Sequence, residues 1–183
     1  MPSNIPGVKL TAGSIGGVST DLNDPRFTAA GLFAEAYIGL TARFAEQFEQ
    51  HRLSAVEFEV LMRLARSPGK RLRMTDLAGQ TSLSTSGVTR VVDRMGRDGL
   101  VRREACASDR RSSYAVITDA GHGRLDETLP GHLELLQKWF IGQLAPDQLT
   151  QMLESLRIIR DAVNPCATAG SVDTLPERAE AAG

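Results

Sequence analysis

The sequence predicts an α+β chain, mainly α with a small β wing, and three observations lead there. Apolar residues recur at the three-and-four spacing of helices along most of residues 25–164. Strand formers gather in only two short runs, near 101–104 and 113–117. Just ahead of those runs, a short helix, a three-residue turn and a second helix are written into residues 75–98, and the second helix has one apolar and one polar face.

The elements follow in order. Residues 1–22 hold four Gly, three Ser and two Pro without periodicity, and 1–24 read as a flexible N-terminal arm. Asp24-Pro25 supplies a cap and a first-turn proline, and Phe33, Tyr37, Leu40, Phe44 and Phe48 then keep helical spacing to His51. That helix, about 40 Å long, dominates the segment 25–53. Ser54 to Arg66 is a second helix with Phe58, Leu61 and Met62 inward, closed by Ser67-Pro68-Gly69; Arg71 to Met74 suits a short strand. Thr75 and Asp76 are good starting residues for a short helix carrying Leu77 and Ala78. Ser82-Leu83-Ser84 makes the turn, with Ser84 capping the helix from Thr85 to Asp98. Gly99 stands where a helix ends in the left-handed conformation. Two extended arms follow, with Cys106 to Arg111 as a polar hairpin tip. Beyond Gly121, Leu125, Leu129, Leu133, Leu136 and Phe140 mark another helix, with a bend expected at Pro130. Pro146 opens a last helix with Leu149, Leu153, Leu156, Ile159 and Val163 inward, stopped at Asn164-Pro165. Residues 165–183 read as a disordered tail.

The helix from Thr85 carries the functional signal. Val88, Val91, Val92 and Met95 form one stripe, while Ser86, Arg90, Asp93, Arg94 and Arg97 fall on the other side. A helix that buries Val and presents Ser, Thr and Arg suits an anionic, hydrogen-bonding surface, and the major groove of duplex DNA is such a surface. The whole chain is nearly neutral, with 21 basic and 22 acidic residues, but residues 54–121 contain 12 Lys and Arg against 8 Asp and Glu. Positive potential is thus concentrated where the polar helix lies. The excess is small, and a solvated charged surface accounts for it equally well.

The runs Thr89-Arg90-Val91-Val92-Asp93-Arg94-Met95, Gly99-Leu100-Val101, Asp109-Arg110-Arg111 and Ile117-Thr118-Asp119-Ala120-Gly121 together resemble the MarR family of winged helix-turn-helix regulators. In organisation the resemblance reaches from about Asp24 to Val163. It implies a winged helix-turn-helix over 54–121 flanked by dimerisation helices at 25–53 and 122–164. It also implies a repressor of palindromic double-stranded operators, released by a small ligand. The residues argue independently for a homodimer, because the terminal helices carry more apolar surface than one wing domain needs, and a twofold arrangement buries it. A monomer with these helices in an ordinary core is the alternative.

Residue roles combine both sources. Ser84 and Ser86 open the polar helix, where hydroxyls reach phosphates or base edges. Thr89 and Arg90 match the family's base-reading positions, and Arg94, further along, suits a backbone phosphate. Arg111 matches the family's minor-groove arginine, Asp109 would hold its guanidinium, and Arg110 is a phosphate contact. Asp93 is expected in an intrahelical pair with Arg90 or Arg97; Arg97, Arg102 and Arg103 are open to DNA contact or to none. The resemblance further implies a cleft for small aromatic acids or phenols, lined by Tyr37, Phe58 and Met62 with Arg43 meeting a carboxylate; plain core or surface is the competing reading of each.

Other classes find less support. No apolar run reaches the roughly 18 residues of a membrane helix, and no signal peptide is visible, so the cytoplasm is the expected compartment. His51, His122 and His132 have no metal-ligand spacing and read as solvated surface residues; no cofactor, metal site, phosphate loop or catalytic nucleophile is expected, and the chain does not read as an enzyme. Two alternatives remain. One is a winged-helix module docking an acidic protein partner. The other is a thiol-redox-responsive regulator using Cys106 or Cys166, with cations near Cys106 lowering its pKa.

Overall fold

The structure, a computed structural model, describes residues 22–81, 83–106, 109–164 and 167, with the backbone alone given for 109–111. Two compact units divide after Arg43 and are treated separately. The first is the leading part of α1 (Pro25–Gln50). Its start is fixed by Asp24, whose carboxylate accepts the backbone N–H of Arg26 at 2.9 Å and pairs with the same residue's guanidinium at 2.6 Å. Phe27, Leu32, Phe33, Tyr37 and Ile38 on this stretch are all exposed.

The second unit holds the rest: the end of α1, then α2 (Ala55–Arg66), β1 (Arg71–Arg73), α3 (Met74–Gln80), α4 (Thr85–Arg97), β2 (Val101–Cys106), β3 (Asp109–Ile117), α5 (Asp119–Trp139) and α6 (Pro146–Val163). The strands form one antiparallel sheet in the order β1-β3-β2. Its inner face contributes Val101, Ala115 and Ile117 to a core shared with Leu61 and Leu64 of α2, Leu77 of α3, and Val88, Val92 and Met95 of α4. Burial of these side chains, at about 1.5–3 kcal/mol each, is what seats α3 and α4 on the sheet.

Local chemistry sets the helix ends. Ser54 caps α2 in a reciprocal box: its hydroxyl accepts the Glu57 N–H at 3.3 Å, and the Glu57 carboxylate accepts the Ser54 N–H at 2.8 Å. Ser84 caps α4 by accepting the Gly87 N–H at 3.1 Å. At the other end of α4, Gly99 takes φ 72°, and the Leu100 N–H returns to the Met95 carbonyl at 2.9 Å, closing a Schellman motif. The short third helix differs from expectation. It begins at Met74 rather than near Thr75, with Arg73 in the capping position making no side-chain cap, because β1 runs straight into it.

Thr118 then stitches α4 to α5. Its hydroxyl donates to the Gly99 carbonyl at 2.6 Å and accepts the Gly121 N–H at 3.1 Å. The approach is close enough that a Cβ on Gly121 would lie 2.2 Å from the Leu100 carbonyl oxygen and 2.8 Å from Ile117 Cγ1. Gly121→Ala is therefore expected to destabilise the fold by about 1–3 kcal/mol, read as a lowered urea midpoint. An unchanged midpoint would refute this close packing.

The hairpin arms are longer than the sequence suggested. Cys106 is not in a polar tip: it ends β2, is buried, and follows a register irregularity after Ala105. Residues 109–111 belong to β3, leaving 107–108 between the arms. Strand pairing continues because Ala105 and Cys106 still find partners in Ser113 and Asp109. α5 is one continuous helix through Pro130. α6 has no buried residue, and Leu133 of α5 with Ile158, Ile159 and Val163 of α6 are exposed.

Candidate DNA-binding surface

One face of α4 is locked into the core and the other is presented outward. Val88 and Met95 are fully buried and Val92 nearly so, which fixes the rotation of the helix. Ser84, Ser86 and Arg90 are consequently exposed, and Thr89 is half-buried beside them. The Ser84 and Ser86 hydroxyls lie 3.2 Å apart, at the start of the helix. Arg90 and Arg97 are exposed, with no hydrogen bond or ion pair among the described residues. Arg90 thus projects a complete set of guanidinium donors, the equipment for bidentate contact with a guanine edge.

Arg94 is held differently. Its Nε donates to Glu57 Oε1 at 2.7 Å, while half of the side chain stays exposed. Glu57 is the same carboxylate that closes the α2 capping box, and it also takes the Ser54 hydroxyl at 2.7 Å. Burial pushes the Glu57 carboxyl up. The hydrogen bonds from the Ser54 backbone and hydroxyl and from Arg94, with the guanidinium charge, together outweigh that and hold it below the usual carboxylate value. The result is an ionised, nearly buried brace between α2 and α4. Its Ser-x-x-Glu half is readable in the sequence, but its link to Arg94 joins residues far apart in the chain.

Asp93 corrects an expectation. It does not pair with Arg90 or Arg97; it pairs with Arg103 of β2 at 2.9 Å, because β2 packs alongside α4. Arg102 is likewise engaged, with Glu104. The side chains of Asp109, Arg110 and Arg111 lie outside the described residues, as does Cys166. The burial of Cys106 removes the accessible wing thiol that a redox reading needs.

The residues expected to line a ligand cleft fall in both units. Tyr37 is exposed and Arg43 lies near the end of the first unit. Phe58 is core, stacked on Phe48 with ring centroids 4.6 Å apart, and Met62 packs against that core. His132 is not a solvated surface histidine. Its ring sits 4.8, 5.0 and 4.7 Å from those of Phe44, Phe48 and Phe58, its Nδ1 is buried without a partner, and burial pushes its pKa down. Among the described residues no cluster of His, Cys, Asp and Glu has the makings of a metal site, and no helix is long and apolar enough to cross a membrane.

The sequence profile of the MarR family matches residues 53–113, from the loop before α2 into β3. The crystal structure of AbsC, a MarR family transcriptional regulator from Streptomyces coelicolor, is 33% identical over 80% of this chain and 99% of its own, with a TM-score of 0.75. This chain belongs to the MarR family. A second MarR protein of that organism, Sco3205, was solved in complex with DNA; it is 30% identical, covering 82% of this chain and 94% of its own, at a TM-score of 0.75. BpsR of Bordetella bronchiseptica is 25% identical, covering 73% of this chain and 99% of its own, with a TM-score of 0.65; its DNA binding is regulated by 6-hydroxynicotinic acid. As a member of the MarR family, the chain is a DNA-binding transcriptional regulator of the winged helix-turn-helix fold, with α3 and α4 as the helix-turn-helix and β2–β3 as the wing.

Proposed function

We propose that this MarR regulator acts in the cytoplasm as a homodimeric repressor, without catalytic activity, on a palindromic operator, and that a small aromatic acid or phenol releases it. The observation that carries the reading is the outward face of α4: Ser84, Ser86, Thr89 and Arg90 beside one another, with the Arg90 guanidinium unpaired among the described residues. In this reading Thr89 and Arg90 contact base edges and the two serines reach phosphates or bases. Arg94 meets the backbone. On the wing, Arg111 enters the minor groove with Asp109 bracing it, and Arg110 takes a phosphate.

The exposed apolar side chains of α1 in the first unit, and of α5 and α6 in the second, support a twofold partner. An apolar face of this extent on several helices is costly in water and gains free energy when a second copy covers it. For the ligand, Phe58 and Met62 of the second unit supply apolar groups against which an aromatic ring can pack. The acid that regulates BpsR is of the chemical class expected here.

A gel shift on the DNA upstream of the protein's own gene tests the proposal. A palindrome-specific shift that weakens with salt, and is reversed by a small aromatic acid or phenol, is expected. No shift at any sequence, together with capture of an acidic protein through the α4 arginines, would overturn it.

A further inference from the structure

The outer face of the sheet, turned away from the core, carries a second cluster of donors. Arg73, Tyr114 and Glu104 stand in one row across β1, β3 and β2, and Arg71, Val116 and Arg102 stand in the next. The Tyr114 ring is gripped from both rows. Arg71 Cζ lies 4.8 Å from its centroid and Arg73 Cζ 5.8 Å, and Arg73 Nε donates to the phenol oxygen at 3.3 Å. Two carboxylates oppose the cluster: Glu104 lies 3.5 Å from Arg71 and also pairs with Arg102, and the charge of Asp76 acts on Arg73. Three cations against two anions still leave a net positive charge among the described residues, and the ring holds two of those cations in place.

Two features point this cluster at an anionic oxygen. The Tyr114 oxygen accepts from Arg73, so its own O–H proton must be donated elsewhere, and it has no acceptor among the described residues. Arg71 and Arg73 are exposed although they are clasped, so their outer donors face solvent with little rotamer entropy left to lose. A fork of guanidinium and phenol donors matches the two non-bridging oxygens of a phosphodiester.

Position selects which phosphodiester. Arg73 ends β1 and immediately precedes α3, the first helix of the reading unit, and such helices cross the DNA backbone. β1 and β3 are antiparallel, so Arg73 lies at the end of β1 nearer the hairpin tip. Its row is two residues from the end of β2, about 7 Å at about 3.3 Å per residue. The cluster therefore sits beside the start of the helix-turn-helix and close to the described end of the wing strand β2. We propose that Arg71, Arg73 and Tyr114 form a clasp for the DNA sugar-phosphate backbone beside the wing, a sequence-independent contact outside the α4 reading face. The proposal rests on the DNA-binding reading above.

Fluorescence anisotropy over a salt series, with operator and scrambled duplexes extended by about ten base pairs on each side, tests it. The Arg71→Ala/Arg73→Ala variant should bind both duplexes about tenfold or more weakly at low salt and keep the wild-type preference between them. Its log–log salt slope should flatten by about 0.9 for each phosphate that the variant no longer neutralises. Tyr114→Phe, which keeps the ring and loses the hydroxyl, should weaken both duplexes about threefold with little change in slope, since no charge is removed. Equal melting temperatures would exclude an effect through the fold. Wild-type slope and affinity in the double variant would overturn the clasp alone, as would a changed operator preference or an unaltered DNA affinity with loss of an acidic protein partner. Absence of any salt-dependent operator shift by the wild-type protein would overturn the DNA-binding reading itself.

Discussion

Inserting five base pairs at the centre of the palindromic operator is expected to abolish tight binding. A twofold dimer presents its two α4 helices to half-sites about one turn apart, roughly 34–36 Å along the duplex. Five added base pairs turn the second half-site through about half a revolution, to the far side of the DNA. One α4 helix then stays engaged while the other faces no groove, and the gain from tethering is lost, an effect on the order of 10²–10⁴ in affinity. Inserting ten base pairs restores the facing but not the distance, so binding should stay weak unless the dimer opens. Affinity for the three operators, measured side by side, checks the geometry, and sedimentation should give about twice 19.8 kDa. Unchanged affinity in the five-base-pair operator, or a clean monomer, would refute the twofold arrangement.

The next largest effect is expected at α4 itself. Arg90→Ala should cost about 1–3 kcal/mol at the operator and relax the preference at one base pair per half-site, because a guanidinium with no partner among the described residues has all its donors available to a base edge. Arg94→Ala should behave otherwise. It should weaken all sequences alike and flatten the salt dependence by about 0.9 for each phosphate left without its cation. The brace adds a distinguishing test. Glu57→Gln keeps a capping box, since Gln serves at that position, but removes the charge that orients Arg94. It should weaken DNA binding although it deletes a negative charge, and should add little in an Arg94→Ala background, because coupled residues are not additive. Should Glu57→Gln tighten binding to all DNA, the brace would not serve Arg94; should Arg94→Ala change sequence preference more than Arg90→Ala, the two roles would be exchanged. The brace also has a pH sign. A carboxyl depressed in the folded state contributes stability that is full above its unfolded value and is lost as pH falls through the folded one, so Glu57 holds Arg94 throughout the neutral range and releases it only in acid.

What could be read from residue order alone was whatever depends on neighbours within a helical turn or a strand repeat. The three-and-four spacing of Val88, Val92 and Met95 determined which side of α4 is buried, and hence that Arg90 faces outward. Ser84 as a cap, Gly99 in the left-handed conformation and Asp24 at the head of α1 are likewise local, because each satisfies backbone groups at most four residues away. The tertiary structure decided what lies between choices that are locally equal. Asp93 had two arginines on its own helix, yet β2 brought a third, Arg103, closer. Arg94 looked like its neighbours until α2 packed against α4 and placed Glu57 under it, 37 positions earlier. Cys106 and Asp109 looked like a polar tip, but strand pairing drew both into the sheet and buried the thiol. His132 read as a surface histidine until α5 laid it among three phenyl rings. The physical division is one of range: periodicity and capping are determined along the chain, whereas an ion pair or a ring contact is chosen by which elements the core brings side by side.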